Sequence, residues 1–140
     1  MRRIRNMVRG FTLVELLIVL AVIAALLAIV TPIALNAVAQ AKATQVASNF
    51  RNIKSAIETY VYTTQTAPST ITQLGSYISS WPSGFVVEDW PTEIATSATA
   101  TFSIKYTGGV DTNRIKQILP EVSVSSDGTV TLTATVVKWW

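Results

Sequence analysis

Between Phe11 and Val30 the chain reads FTLVELLIVLAVIAALLAIV, twenty residues in which only Thr12 and Glu15 are not apolar. A helix of that length spans about 30 Å, the thickness of a bilayer's hydrocarbon core. This stretch therefore settles where the chain can reside before any other feature is weighed. Four arginines (Arg2, Arg3, Arg5 and Arg9) stand directly before it. Basic residues flanking a span are retained on the cytoplasmic side, which directs the rest of the chain outward. Two plain readings of this stretch come first. A plain membrane anchor fits everything except Glu15. An ordinary secretory signal has Ala37-Val38-Ala39 as a small-residue cleavage site. Against that signal, the apolar run exceeds the usual ~7–15 residues and carries an acid.

Glu15 is the informative position. A carboxylate buried centrally in a membrane helix costs about 2.5 kcal/mol or more, so such groups have a partner or a task. No Lys or Arg lies within the apolar run. Cleavage between Gly10 and Phe11 creates a new cation, the α-amine of Phe11, four residues from Glu15 and on the same helical face. Between staggered neighbours, the amine of one chain can meet the acid of another.

The stretch Arg9-Gly10-Phe11-Thr12-Leu13-Val14-Glu15-Leu16 resembles the processing site of type IV prepilins and of the related type II secretion pseudopilins: a basic leader ending in Gly, then Phe, then an acid at the fifth mature position. The close match covers about the first thirty-two residues. The resemblance implies cleavage after Gly10 by a membrane-embedded prepilin peptidase and N-methylation of Phe11. It implies that Glu15 docks a new subunit onto a growing filament. Pro32 falls where many members of the family have a helix-interrupting proline. The expected partners are further copies of the chain in a helical filament, the assembly platform and membrane lipid. The expected location is the bacterial inner membrane, with the N-terminus in the cytoplasm, and then the pilus. Whether such a subunit is a major pilin, a minor pilin or a pseudopilin stays open.

Beyond Val30 the pattern changes. Pro32 has no N–H for the carbonyl of Ala28, which predicts a kink. Helix-favouring alanines follow, and Val46, Phe50, Ile53, Ile57, Tyr60 and Val61 recur at helical spacing opposite Lys42, Gln45, Asn49, Asn52 and Lys54. We read a leader over 1–10, one long kinked helix over 11–63 (transmembrane over 11–31) and a globular head over 64–140. In the head, Thr70-Ile71-Thr72-Gln73 has capping-box spacing for a short helix that ends at Trp81-Pro82-Ser83-Gly84. Phe85-Val86-Val87 reads as a short strand and residues 92–100 as an exposed loop. Phe102, Ile104 and Tyr106 alternate with polar residues in a strand over 101–107. Asp111 or Thr112 caps a short helix carrying Ile115, Ile118 and Leu119. Ser126-Asp127-Gly128 joins Val122 and Val124 to an alternating run over 129–136, a strong hairpin signal. The fold class is α+β and pilin-like: a long helix packed on a small antiparallel sheet.

Composition narrows the chemistry. The 140 residues contain no Cys and no His, which removes disulfides, thiol chemistry, the commonest general base and the commonest metal ligand together. Beyond residue 10, seven basic groups face eight acidic ones, so the formal charge of +3 belongs to the leader. Asp111-Thr112-Asn113 lacks the glycine and terminal glutamate of an EF-hand loop, and no Gly-rich phosphate loop is present. We expect no catalytic residue, no metal and no cofactor: the chain does not read as an enzyme. A secreted or anchored binding protein is the alternative. In a competence pilin, Lys105, Arg114, Lys116 and Lys138 with Trp139 and Trp140 would form a DNA-binding patch. The plainer reading is that the tryptophans cover a sheet edge while the lysines keep it soluble.

Overall fold

The computed structural model describes residues 10–90 and 98–140. The four leader arginines, Pro91 and residues 92–97 of the expected loop lie outside the described residues. The fold divides into two compact units at Val38/Ala39.

Helix α1 runs over Leu13–Thr64, without interruption at Pro32. In the first unit every side chain from Phe11 to Val38 is exposed, and this part is long and apolar enough to cross a bilayer. Thr31 turns its hydroxyl back to the carbonyl of Leu27 at 2.7 Å, so its polar group is satisfied within the helix. Among the described residues no protein surface covers this segment.

The second unit begins where α1 becomes one-sided. Val46, Ala47, Phe50, Ile53, Ile57 and Val61 are buried and Tyr60 is half-buried, while Gln45 and Asn52 remain exposed. The four strands β1 (Phe85–Glu88), β2 (Thr99–Tyr106), β3 (Val122–Val124) and β4 (Val130–Val137) form one antiparallel sheet in the order β1-β2-β4-β3. Each strand buries alternate residues: Phe85 and Val87; Ala100, Phe102, Ile104 and Tyr106; Val122; and Val130, Leu132, Ala134 and Val136. These meet the apolar stripe of α1 in one core. Phe50 places its ring edge on Phe85 at 4.9 Å, and Phe85 leans on Tyr106 at 4.7 Å. Full burial of each such aliphatic or aromatic side chain is worth about 1.5–3 kcal/mol.

The connections follow their local chemistry. A 3-10 helix spans Ile71–Ser76. Gln73 Oε1 accepts from the backbone N–H of Ser69 at 2.7 Å and of Thr70 at 3.3 Å, while the hydroxyl of Thr70 engages Thr72. Helix α2 (Thr112–Ile118) is capped by Asp111, which accepts from the N–H groups of Asn113 and Arg114. At the hairpin, Gly128 takes φ +84°, the left-handed conformation the turn requires. Gly108 is required by close approach, since a Cβ there would collide with the phenol of Tyr106.

One expectation is corrected. The loop expected over 92–100 cannot extend that far, because β2 already begins at Thr99. Thr99 pairs with Val137 and Ala100 with Val136, and Lys138 donates its N–H to the carbonyl of Ala98 at 2.8 Å. A run of Thr, Ser and Ala resembles a loop by composition, but Ala100 continues the inward alternation of Phe102 and Ile104, and the length of β4 supplies a partner.

Candidate functional site

The first helical turn is built by three residues. Thr12 is the residue before α1, and its carbonyl accepts the first helical hydrogen bond, from Leu16 at 3.2 Å. Glu15 is then the third residue of the helix. Its backbone N–H donates to Thr12 Oγ1 at 3.2 Å. The backbone N–H of Thr12 donates in turn to Glu15 Oε2 at 2.7 Å, and the Thr12 hydroxyl donates to the same oxygen at 3.0 Å. This reciprocal arrangement is a capping box. It satisfies two N–H groups that a helix start otherwise leaves without partners, and it sets a negative charge where the helix dipole favours one.

By charge alone, Glu15 has no partner in the sequence until cleavage supplies one. In the folded chain it already has a partner in Thr12. The signal was present in the sequence, since Thr12-Leu13-Val14-Glu15 has the same T-x-x-[E/Q] spacing that located the start of the 71–76 helix. The partner is a hydroxyl and a backbone N–H rather than a charge.

Gly10 and Phe11 precede the helix in non-helical conformation and are exposed. A Cβ added at Gly10 would meet nothing within 4 Å among the described residues, so these place no steric demand for glycine there. The Gly10–Phe11 peptide bond is thus an accessible, non-helical bond two residues ahead of the capped helix. Pro32 lies within α1, exposed on the apolar segment.

The residues singled out for other chemistry do not converge. Lys105 pairs with Glu88, and that carboxylate, hydrogen-bonded to it, raises the lysine's pKa above the ordinary range. Arg114 Nε lies 2.9 Å from Asp111 Oδ2 and its Nη1 3.2 Å from Gln40 Oε1. Lys138 sits 5.8 Å from the centre of the Trp140 ring. Three of the four basic residues of the DNA-binding alternative are therefore engaged locally. Trp140 packs partly against the core, whereas Trp139 is 69 % exposed, so the terminal pair does not act wholly as a cover. Asp111 serves as a helix cap, and its carboxyl lies below the usual carboxylate range because the backbone N–H and then the side chain of Arg114 bond to it. Among the described residues no group of three acids gathers in metal-binding geometry.

Comparison with known proteins singles out the same N-terminal segment. The family model described as the prokaryotic N-terminal methylation motif matches residues 5–31. No curated protein and no solved structure matches the chain.

Proposed function

Because the chain carries the N-terminal methylation motif, the hallmark of type IV pilins and pseudopilins, we propose that it is a structural subunit of a type IV pilus or a type II secretion pseudopilus. A prepilin peptidase removes residues 1–10 by cutting the exposed Gly10–Phe11 bond. The new amine of Phe11 is then N-methylated. The leader arginines hold the N-terminus in the cytoplasm, and the subunit waits in the inner membrane as a single-pass protein until the assembly platform extracts it into a helical filament. The indifference of the fold to a side chain at Gly10 supports this reading, since the glycine then answers to a processing enzyme rather than to packing.

One observation carries the proposal: an apolar helix, exposed on every side from Leu13 to Val38, opens with an acid held by its own cap. The exposed Leu, Ile and Val side chains of this segment amount to tens of kcal/mol of apolar surface at about 1.5–3 kcal/mol each. That sum forbids a free existence in water. It does not select between lipid and packed helices, because lipid tails are as apolar as leucine. Glu15 does select. In lipid it has the Thr12 cap alone, whereas in a filament a neighbouring α-amine can neutralise it. Apolar packing therefore supplies the cohesion and Glu15 supplies the register, while Pro32 bends the helix by leaving the carbonyl of Ala28 without its N–H partner.

The test is substitution at Glu15 in the native host. Glu15→Ala and Glu15→Gln are expected to insert and be cleaved normally yet to form few filaments. Glutamine retains a capping oxygen and so isolates the effect of charge. Filaments at wild-type abundance from either variant contradict the register role.

A further inference from the structure

Beside the apolar stripe of α1, the second unit holds a groove of about 990 Å³ whose lining has no part in the N-terminal site. One wall is a ladder of α1 side chains, Gln45, Asn49, Asn52 and Thr59, spaced by four, three and seven residues and so on one helical face. The opposite wall is the segment from Ser76 to Ser83. The floor is formed by Val46, Ile53, Phe85 and Tyr106.

This groove is built rather than incidental. Its loop wall is fixed at one end by N–H bonds from Tyr77 and Ile78 to the carbonyl of Leu74. At the other end the indole of Trp81 donates to the carbonyl of Phe85 at 3.0 Å. Tyr77 is braced edge-on against Tyr60 at 5.9 Å while keeping 37 % of its surface exposed. The side-chain amides of Gln45, Asn49 and Asn52 make no hydrogen bond to any described residue, so their donors and acceptors are available to a ligand. Lys42 is the one charged residue in the lining, and no acid faces the groove.

The lining selects a ligand class by exclusion. A cation finds no carboxylate there. A polyanion, nucleic acid included, needs several cationic contacts and finds one. An apolar molecule prefers walls of hydrocarbon, and these walls are amide and hydroxyl. What remains is a neutral ligand rich in hydroxyl groups. An amide offers a donor and an acceptor side by side, which suits adjacent hydroxyls, and the exposed ring of Tyr77 provides an apolar platform for the C–H face of a sugar. The volume, at the upper end of the ~300–1,000 Å³ of ligand sites, accommodates a short oligosaccharide. We propose that this groove is a binding site for a neutral glycan, with Asn49 and Asn52 as its principal hydrogen-bonding residues. A rigid wall limits the ordering cost of binding.

The test uses the full chain in a phosphocholine detergent, since glycoside detergents would compete. Saturation-transfer NMR is run against chitotriose, maltotriose, cellotriose and lactose, with sialyllactose as the charged control. At least one neutral sugar is expected to bind, more tightly than sialyllactose. The double variant Asn49→Ala/Asn52→Ala is expected to weaken binding at least tenfold while keeping the wild-type circular dichroism spectrum. Thr133→Ala, on the opposite face of the sheet, is expected to bind as wild type does. Binding by no member of the panel, or undiminished binding by the double variant, overturns the assignment. So does concentration-dependent self-association through Asn49 and Asn52 without sugar binding, which makes the groove a contact between copies. Because this readout needs no filament, its failure leaves the proposed function standing, and the reverse also holds.

Discussion

Helix α1 is one continuous element, yet the single chain buries only the face it presents within the second unit, and that difference can be measured with one pair of substitutions. Phe50 is fully buried, its ring edge set on Phe85. Phe50→Ala removes the transfer energy of the ring and leaves a cavity among side chains that relax only partly, at a cost of about 3–5 kcal/mol. Small domains have about 5–15 kcal/mol in total, so this loss takes a large share. A shift of about 4–8 °C per kcal/mol for a domain of this size converts it to a fall in Tm of at least about 12 °C. Leu26→Ala is a comparable truncation on the same helix, but Leu26 is 57 % exposed in the single chain. It should change the stability of the head by no more than about 0.5 kcal/mol. All four tryptophans (Trp81, Trp90, Trp139 and Trp140) lie in the head, so thermal unfolding of the detergent-solubilised chain followed by tryptophan fluorescence reports that unit. Equal melting of the two variants would refute the claim that the Phe50 face of α1 holds the sheet.

Two further outcomes follow from the head. Gly108→Ala should destabilise it by about 1–3 kcal/mol, because the added methyl must displace the Tyr106 ring from a packed aromatic cluster; an unchanged Tm would contradict that close approach. Acid should weaken the head in a defined direction. Asp111 and Asp127 lie below the usual carboxylate range, held there chiefly by the N–H groups of Arg114 and Thr129. Groups depressed in the folded state contribute stability above their unfolded pKa of about 4, which is lost as pH falls through the lower folded value. Tm should therefore decline below about pH 4, less steeply in Asp111→Asn, and a Tm that rises on acidification would contradict the assignment.

The parts of the fold that were legible in the sequence are those where one local signal and one packing demand coincide. The stripe from Val46 to Val61 declared both a helix and its buried face. Asp127-Gly128 between alternating runs declared the hairpin, because few residues other than glycine adopt the conformation Gly128 has. Capping chemistry at Asp111 or Thr112 and the shared face of Ile115, Ile118 and Leu119 announced α2, and Asp111 proves to be the cap. The start of β2 was hidden because Thr99 and Ala100 owe their strand to pairing with Val136 and Val137, a long-range partner that composition does not reveal. At the candidate site, Glu15 stood out as a costly acid, but its bond to Thr12 required a hydroxyl three residues earlier to be read as a cap. The groove was invisible for a different reason. Gln45, Asn49 and Asn52 have the pattern of any solvated helix face, and only the course of the Ser76–Ser83 segment turns that face into a wall.

Everything proposed for assembly depends on a cut that converts Phe11 into a charged terminus beside Glu15. Intact-mass and terminal-fragment measurement of the protein purified from its native host tests this directly. The account predicts a chain beginning at Phe11 and carrying one additional methyl group on its amine. A mature protein beginning at Met1, or at Gln40 after cleavage behind Ala37-Val38-Ala39, would contradict it.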